Sequence, residues 1–206
     1  MMNKGLLIVV SGPSGTGKGT ICKQLLHTVS DLKLSISATT RAPRADEAQG
    51  VSYSFLEKEQ FERMIDHHEL LEYANVYDNY YGTPKKYVID EINKGNDVLL
   101  EIDIQGALQV KQKYPQGVFV FILPPSMEEL KKRIVSRGSE TEDSLNKRYK
   151  SATEEIGFVR EYNYFIINDE VDVAVEKLKA IILAEKCKIT EDVEEIIIRF
   201  KEEIKC

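Results

Sequence analysis

Apolar residues in this chain fall into short, nearly continuous runs, and a longer amphipathic stretch follows most of them. Runs of this kind are typical of strands buried on both faces of a parallel sheet, while the amphipathic stretches have the 3.6-residue period of surface helices. The predicted strands are Gly5–Val10, 97–106, 118–123 and 164–168, and the predicted helices are 20–28, 84–94, 107–113, 126–137 and 171–186. The pattern predicts an α/β fold with a parallel sheet flanked by helices.

A short strand is predicted at 33–37, and after it a different pattern interrupts this alternation between residues 50 and 84. Strand-like segments are predicted there at 51–55 and 70–76, with a helix at 58–67 between them. We expect a small mixed α/β subdomain inserted into the larger sheet.

Length, charge and cysteine content narrow the class of protein. A chain of 206 residues fits one folding unit with insertions. Its net charge of −6 argues against nucleic-acid binding, which depends largely on an excess of Lys and Arg. The first apolar run is too short for a signal peptide or a membrane span, and three widely spaced cysteines fit a reduced protein. We expect a cytoplasmic protein without nucleic-acid or membrane partners.

The most specific motif comes directly after the first predicted strand. Residues Gly12-Pro13-Ser14-Gly15-Thr16-Gly17-Lys18 match the phosphate-binding pattern Gly-x4-Gly-Lys, and a helix follows. Such a turn aims backbone N–H groups and the positive end of the helix dipole at one point, where Lys18 can reach outer phosphates. The alternative is a glycine-rich turn without a ligand. Strand, spacing, lysine and helix together favour phosphate binding.

The position after the lysine departs from the motif. It normally carries a Ser or Thr that binds magnesium, but here it is Gly19. Thr20 lies about 100° further round the helix and is poorly placed to replace that hydroxyl. We therefore expect Mg²⁺ to be held mainly by nucleotide oxygens and waters.

A second candidate anion site contains two arginines. Arg41 and Arg44 flank Pro43, which favours an extended segment from which both side chains can project. The planar guanidinium group matches phosphate geometry. The alternative for this fragment alone is a solvated loop.

Taken together, three segments resemble guanylate kinases over about residues 5 to 185. They are the phosphate loop with Ser11 before it, the segment Ser37–Arg44, and the phrase Arg-Gly-x-Glu-Thr-Glu at 137–142. The resemblance implies a P-loop kinase core, an inserted mixed α/β GMP-binding subdomain and a helical lid. The implied boundaries are core 1–37, 85–125 and 161–186, GMP-binding subdomain 38–84, lid 126–160, and a C-terminal helix 187–206.

The resemblance also implies the reaction, transfer of a phosphoryl group from ATP to GMP with Mg²⁺ as cofactor, and dGMP as a further acceptor. Glu72, alone between apolar residues, either faces solvent or is buried for a purpose. Guanine supplies that purpose, because Glu72 would accept hydrogen bonds from its N1–H and N2–H₂ edge, which adenine lacks. The family usually has Trp after this glutamate, and this chain has Tyr73. We expect that exchange of one aromatic residue for another to have no effect.

The residues implied for each ligand follow the family motif. The ATP-binding set is Gly12, Pro13, Ser14, Gly15, Thr16, Gly17, Lys18, Gly19, Thr20 and Asn168, the last of these near adenine. The GMP-binding set is Ser37, Arg41, Arg44, Tyr53, Glu72, Tyr81, Thr83, Glu101 and Asp103. The catalytic set is Lys18, Arg41, Asp103, Arg137 and Arg148.

The apolar segment 97–106 ends in acids, as the second nucleotide motif does, and by resemblance Asp103 is the expected outer-shell carboxylate for Mg²⁺. Glu101, two residues earlier, should project to the same side of the strand. The alternative is that these acids only cap the end of the strand. Two helices joined by a polar hinge, with Arg133, Arg137 and Arg148, suggest a lid that closes on the transferred group. The alternative is a helical hairpin with an ordinary charged face.

Some questions stay open at this point. The terminal amphipathic helix either covers the core or makes a subunit contact, and oligomeric state is undetermined. The alternative functions are a kinase for another nucleoside monophosphate, and an inactive guanylate-kinase-like module that binds other proteins. Such modules typically lose the phosphate loop, which is complete here apart from Gly19.

Overall fold

The computed structural model describes residues 4–44, 47–76, 78–136, 142–189 and 193–203. Its strands are β1 (Leu7–Ser11), β2 (Leu32–Leu34), β3 (Ala38–Thr39), β4 (Ser54–Phe55), β5 (Leu70–Val76), β6 (Asn79–Pro84), β7 (Asp97–Glu101), β8 (Val118–Leu123) and β9 (Tyr164–Ile167). Its helices are α1 (Lys18–Thr28), α2 (Lys58–Asp66), α3 (Lys85–Asn93), α4 (Ile104–Lys113), α5 (Met127–Ser136), α6 (Glu142–Ile156), α7 (Val171–Lys186) and α8 (Val193–Glu203), with a 3-10 helix (Gly157–Glu161) before β9.

The larger sheet has five parallel strands in the order β2-β7-β1-β8-β9. Successive residues of β1 point to opposite faces: Ile8 and Val10 pack with α1 and α7, and Leu7 and Val9 pack with α3 and α4. Both faces are therefore buried, which explains the continuous apolar runs. The predicted α/β fold with a parallel sheet flanked by helices is confirmed.

The register of this sheet sets the position of the site. Val10 of β1 pairs with Glu101 of β7 on one side and with Val120 of β8 on the other. The carboxyl ends of parallel strands meet at one edge of a sheet. Glu101 therefore lies beside the start of the phosphate loop.

The smaller sheet has the strand order β4-β3-β6-β5. It is mixed, because β3 pairs with β4 in parallel but with β6 antiparallel. Helix α2 covers it through Phe61, whose ring stacks on Tyr80 with 5.2 Å between centroids. The inserted mixed α/β unit predicted from the sequence is present.

The end of β7 differs from the prediction. The strand stops at Glu101, and Asp103 is the N-cap of α4, where its Oδ1 accepts a hydrogen bond from the Gly106 N–H at 2.7 Å. A capping aspartate satisfies one of the unpaired N–H groups of the first helical turn. The helix consequently begins at Ile104, three residues earlier than expected, and the strand alternation used to relate Glu101 to Asp103 does not apply.

The terminal helix α8 does not cover the core. None of its residues from Val193 to Glu203 is buried, and Ile196, Ile198 and Phe200 are exposed. The interpretation of this helix as a cover for the core was therefore wrong. A separate search of the described ranges finds no helix with the length and apolarity that crossing a bilayer requires.

The central strands should dominate stability. Leu99 of β7 is fully buried in the cluster that the sheet forms with α1 and α7. We expect Leu99→Ala to lower the free energy of unfolding by about 3 kcal/mol, through lost burial and the cavity it leaves. Urea denaturation measures this value. Leu183→Ala is the matched control, because Leu183 is 64% exposed and its truncation should cost less than about 0.5 kcal/mol. Equal losses for both variants would contradict the assignment of β7 to the core.

Candidate active site

The phosphate loop is held in shape by its own hydrogen bonds. The Thr16 hydroxyl donates to the Pro13 carbonyl oxygen at 2.9 Å, and Thr16 is fully buried. Gly17, the N-cap of α1, has φ 89°, a left-handed conformation that favours glycine. No side chain caps α1 within the described loop. The first N–H groups of the helix therefore face the loop, as anion binding requires.

Lys18 lies at the mouth of this loop. Its ammonium group donates to the carbonyl oxygens of Gly12 at 2.6 Å and Pro13 at 2.9 Å. Burial lowers the pKa of Lys18, and the carboxylate of Glu101 opposes that shift. A phosphate group that binds Lys18 would take over the role of these carbonyl contacts.

Asn168, at the end of β9, supports the loop from behind. It is 2% exposed, and its side-chain amide donates to the Thr16 carbonyl oxygen at 2.7 Å. A Cβ atom on Gly17 would lie 2.4 Å from that amide nitrogen, so only glycine fits there. The sequence analysis did not predict this contact, because its only local signal for Asn168 was the position at the end of a predicted strand. The predicted contact with adenine stays a prediction.

Glu101 lies against the residue that departs from the loop motif. A Cβ atom on Gly19 would be 3.2 Å from one carboxylate oxygen of Glu101. The space next to the usual Ser or Thr is therefore partly filled by this carboxylate. Sequence reasoning noted the missing hydroxyl but had no means of finding its neighbour, because the two positions are 82 residues apart.

A cleft of about 250 Å³ opens between the two sheets and brings most of the predicted acceptor residues together. It is lined by Ser37, Tyr53, Glu72, Val76, Tyr81, Gly82, Glu101, Ile102 and Asp103. Thr83, another residue of the predicted GMP set, does not line the cleft but contacts it through a hydrogen bond to Glu72. The arginines belong to a separate group of contacts at its edge.

Glu72 is the buried acid of the cleft. It is 5% exposed, and its Oε1 accepts a hydrogen bond from the Thr83 hydroxyl at 2.7 Å. Burial raises the pKa of Glu72 to about 7, the nearby Asp103 adds to the shift, and the hydrogen bond from Thr83 opposes it. The carboxyl group therefore changes charge close to neutral pH.

Arg41 sits in a cage of aromatic and acidic groups. Its Nε donates to the Tyr81 hydroxyl at 3.2 Å, and its guanidinium carbon is 5.7 Å from the centroid of the Tyr53 ring. Its Nη2 donates to both carboxylate oxygens of Glu47 at 2.8 and 2.9 Å. Arg41, Tyr53 and Tyr81 were predicted to act together, and the structure brings them together.

Glu47 was missed by the sequence analysis. It also accepts a hydrogen bond from the Arg44 backbone N–H at 2.8 Å, and the Arg41 guanidinium holds the pKa of its carboxyl group below the usual value. The available signal was an acid close to two arginines in sequence. Arg44 is exposed. Its predicted role in GMP binding stays a prediction.

The predicted lid is described in part. A Cβ atom on Gly15 would lie 2.9 Å from Ile134, so α5 packs directly against the phosphate loop. Arg133 donates to Glu129 and to the Asn168 carbonyl oxygen. Arg137 and the side chain of Arg148 lie outside the described residues, and their assigned roles stay predictions.

Comparisons with known proteins agree with this geometry. Residues 4–185 match the family model described as guanylate kinase. The chain is 60% identical to a guanylate kinase of Caldanaerobacter subterraneus subsp. tengcongensis over 97% of each chain, and 55% identical to one of Clostridioides difficile over 98% of this chain and 99% of that protein. It is also similar to the crystal structure of a guanylate kinase from Anaplasma phagocytophilum, with a TM-score of 0.74 and 34% identity over 90% of this chain and 88% of that one.

The support that Asn168 gives the loop can be tested separately. Asn168→Leu keeps the branching and the number of heavy atoms of the side chain but leaves the buried Thr16 carbonyl oxygen without its donor, which costs about 1–3 kcal/mol. If the loop is distorted accordingly, affinity for a non-hydrolysable ATP analogue should fall about tenfold by calorimetry. Asn93→Leu, at an exposed position at the end of α3, is the control. Wild-type affinity in a folded Asn168→Leu variant would contradict this role.

Proposed function

The chain belongs to the guanylate kinase family, and from this membership we infer that it transfers the γ-phosphoryl group of ATP to GMP, giving ADP and GDP. One observation carries the choice of acceptor: the buried carboxyl group of Glu72, held by Thr83 in the cleft between the sheets. The residue roles given below are our proposal.

Guanine is selected at Glu72. The N1–H and N2–H₂ groups of guanine are adjacent donors that one carboxylate can accept in parallel, and Ser37 and Thr83 lie near the base O6. Adenine would leave the buried carboxylate unpaired, which is costly. This argument disfavours AMP as acceptor.

The GMP phosphate binds Arg41 and Arg44 with the hydroxyls of Tyr53 and Tyr81. In the structure the carboxylate of Glu47 occupies the fork of the Arg41 guanidinium. A phosphate dianion matches the same fork and carries more charge than a carboxylate. Binding of GMP therefore exchanges Glu47 for phosphate on Arg41.

ATP binds through its phosphates at the loop 12–20, with Lys18 on the outer ones, and Asn168 near adenine. A phosphate oxygen of GMP then attacks the γ-phosphorus while the bond from that phosphorus to the β–γ bridging oxygen breaks, and ADP leaves. Lys18, Arg41, Arg137 and Arg148 neutralise the charge on the transferred group. Positioning and charge stabilisation supply most of the catalysis, so no covalent nucleophile is required.

The residues at the end of β7 fit a magnesium ion that arrives with ATP. Glu101 and Asp103 both line the cleft, and Glu101 lies against Gly19, where a P-loop usually offers a metal-binding hydroxyl. Oxygen ligands of this kind suit Mg²⁺, which also keeps several waters. Asp103 is the outer-shell candidate, and Glu101, besides its assignment to the GMP set, is the carboxylate nearest the loop helix. The ion would supply positive charge that neutralises the phosphate oxygens.

Several wider assignments belong to the same proposal. We assign GMP binding to residues 38–84 and lid function to residues 126–160. Both segments close over the substrates and toward the core. A cytoplasmic location is supported by the free cysteines Cys22 and Cys187. A protein-binding module without catalysis is disfavoured, because the phosphate loop is intact and preorganised.

The activity can be tested with a coupled assay of ADP release, with Mg-ATP and GMP, AMP, UMP or CMP in turn. We expect strong turnover with GMP alone. Lys18→Ala is the matched negative variant, with turnover reduced about 10²-fold or more through loss of one electrostatic donor. Turnover with none of the four acceptors, in folded protein, would overturn the proposed reaction.

The raised pKa of Glu72 makes GMP binding depend on pH. Because guanine binds the carboxylate form, binding releases a proton when the free group is protonated, so affinity rises with pH through the free pKa of about 7. From pH 6 to pH 8 we expect the association constant for GMP to increase about tenfold from this group. Calorimetry at fixed ionic strength measures it.

Glu72→Gln is the control for that pH profile. It carries no titratable group at this position, whereas ionisation of the GMP phosphate contributes equally to both proteins. The difference between the two profiles isolates Glu72. Parallel profiles for wild type and Glu72→Gln would show that this carboxyl group does not titrate on binding.

A further inference from the structure

A side chain of helix α4 contacts the main chain of β5, the strand that carries Glu72. The side-chain amide of Gln109 pairs with Tyr73 in both directions: its Oε1 accepts from the Tyr73 N–H at 3.2 Å, and its Nε2 donates to the Tyr73 carbonyl oxygen at 3.0 Å. Strand β5 is at the edge of the smaller sheet, so no strand among the described residues pairs with its outward main-chain groups. Gln109 takes the place of that strand for the residue next to Glu72.

The same helix contacts the carboxyl group itself, through a glycine. A Cβ atom on Gly106 would lie 2.7 Å from Oε2 of Glu72 and 3.1 Å from its carboxyl carbon. Glycine inside a helix costs about 1 kcal/mol relative to alanine, so this position is unfavourable for α4 alone. The space left by the absent methyl group is occupied by the Glu72 carboxyl.

Gly106 and Gln109 are three residues apart and so lie on one face of α4. Together with Thr83 they surround Glu72: the Thr83 hydroxyl fixes Oε1, Gly106 limits the position of Oε2, and Gln109 fixes the main chain. The backbone N–H of Gly106 is also bound by Asp103. One turn of helix therefore sets the relative position of two acids of the cleft.

We propose that Gly106 and Gln109 are positioning residues for guanine recognition, which act by fixing the carboxyl group of Glu72 against helix α4. The proposal rests on the function proposed for Glu72. Neither residue needs to touch the substrate. Their effect should appear as a loss of GMP affinity that leaves ATP binding and folding unchanged.

The first test is Gly106→Ala. The added methyl group favours the helix but displaces the carboxyl group, so we expect the dissociation constant for GMP to rise about tenfold or more, with the constant for an ATP analogue within about twofold of wild type. The KM for GMP should rise more than kcat falls. Calorimetry, steady-state kinetics and urea unfolding measure these quantities.

Gln109→Met is the second test, because it keeps the length of the side chain and removes both hydrogen bonds to Tyr73. We expect a rise of about threefold or more in the GMP dissociation constant. Gln112→Met is the matched control, since Gln112 is exposed on the same helix and should give wild-type values. If Gly106→Ala fails to fold, the Gln109 and Gln112 pair decides the proposal.

A double-mutant cycle distinguishes action through Glu72 from a general structural effect. In a Glu72→Ala background there is no carboxyl group to displace, so adding Gly106→Ala should not weaken GMP binding further. Additive losses would overturn the proposal. So would wild-type GMP affinity in folded Gly106→Ala and Gln109→Met, provided that Glu72→Ala loses affinity. If Glu72→Ala itself keeps wild-type affinity for GMP, Glu72 does not recognise guanine. The role proposed for Glu72 is then wrong, and this inference is wrong with it.

Discussion

The parallel pairing of β1 with β7 on one side and β8 on the other is the constraint on which the site depends. It brings three strand ends to one edge of the sheet, so that the phosphate loop, Glu101 and the start of α5 become neighbours although they are far apart in sequence. Both faces of β1 are buried, and a strand buried on both faces cannot shift its register without losing its packing. The stability of the core and the geometry of the site are therefore set by the same contacts.

Three polar groups of the site are paired within the chain. Lys18 donates to loop carbonyl oxygens, Arg41 to Glu47, and Thr83 to Glu72. A ligand that binds one of these three groups must replace an internal contact, so the net gain is smaller than the strength of the new bond suggests. This exchange favours ligands that offer more than the internal partner, such as a dianionic phosphate or the paired donors of guanine.

Much of the fold and part of the site could be predicted from the sequence because their signals are local. Apolar runs indicated the parallel sheet, and the glycine spacing indicated the loop. The isolated acid Glu72 left a solvent-facing or a buried carboxyl group open, and the family resemblance favoured the buried one. The other features arise between segments that are distant in sequence. Asn168 against Thr16, and Gln109 against Tyr73, are contacts that no local pattern encodes. At Asp103, helix capping prevailed over continuation of the strand, a competition between two local preferences that apolar periodicity does not reveal.

The pairing of Arg41 with Glu47 has a consequence for how this protein responds to salt. An exposed arginine attracts mobile anions, and a phosphate ligand must displace them, so its affinity falls as ionic strength rises. Here both side chains are largely shielded, 18% and 13% exposed, and the anion on Arg41 is attached to the chain. If Arg41 binds phosphate as proposed, Glu47 would be released toward water and no mobile anion would leave the arginine. The arginine–phosphate contact would then be less sensitive to the ionic composition of its surroundings than its charge alone would suggest.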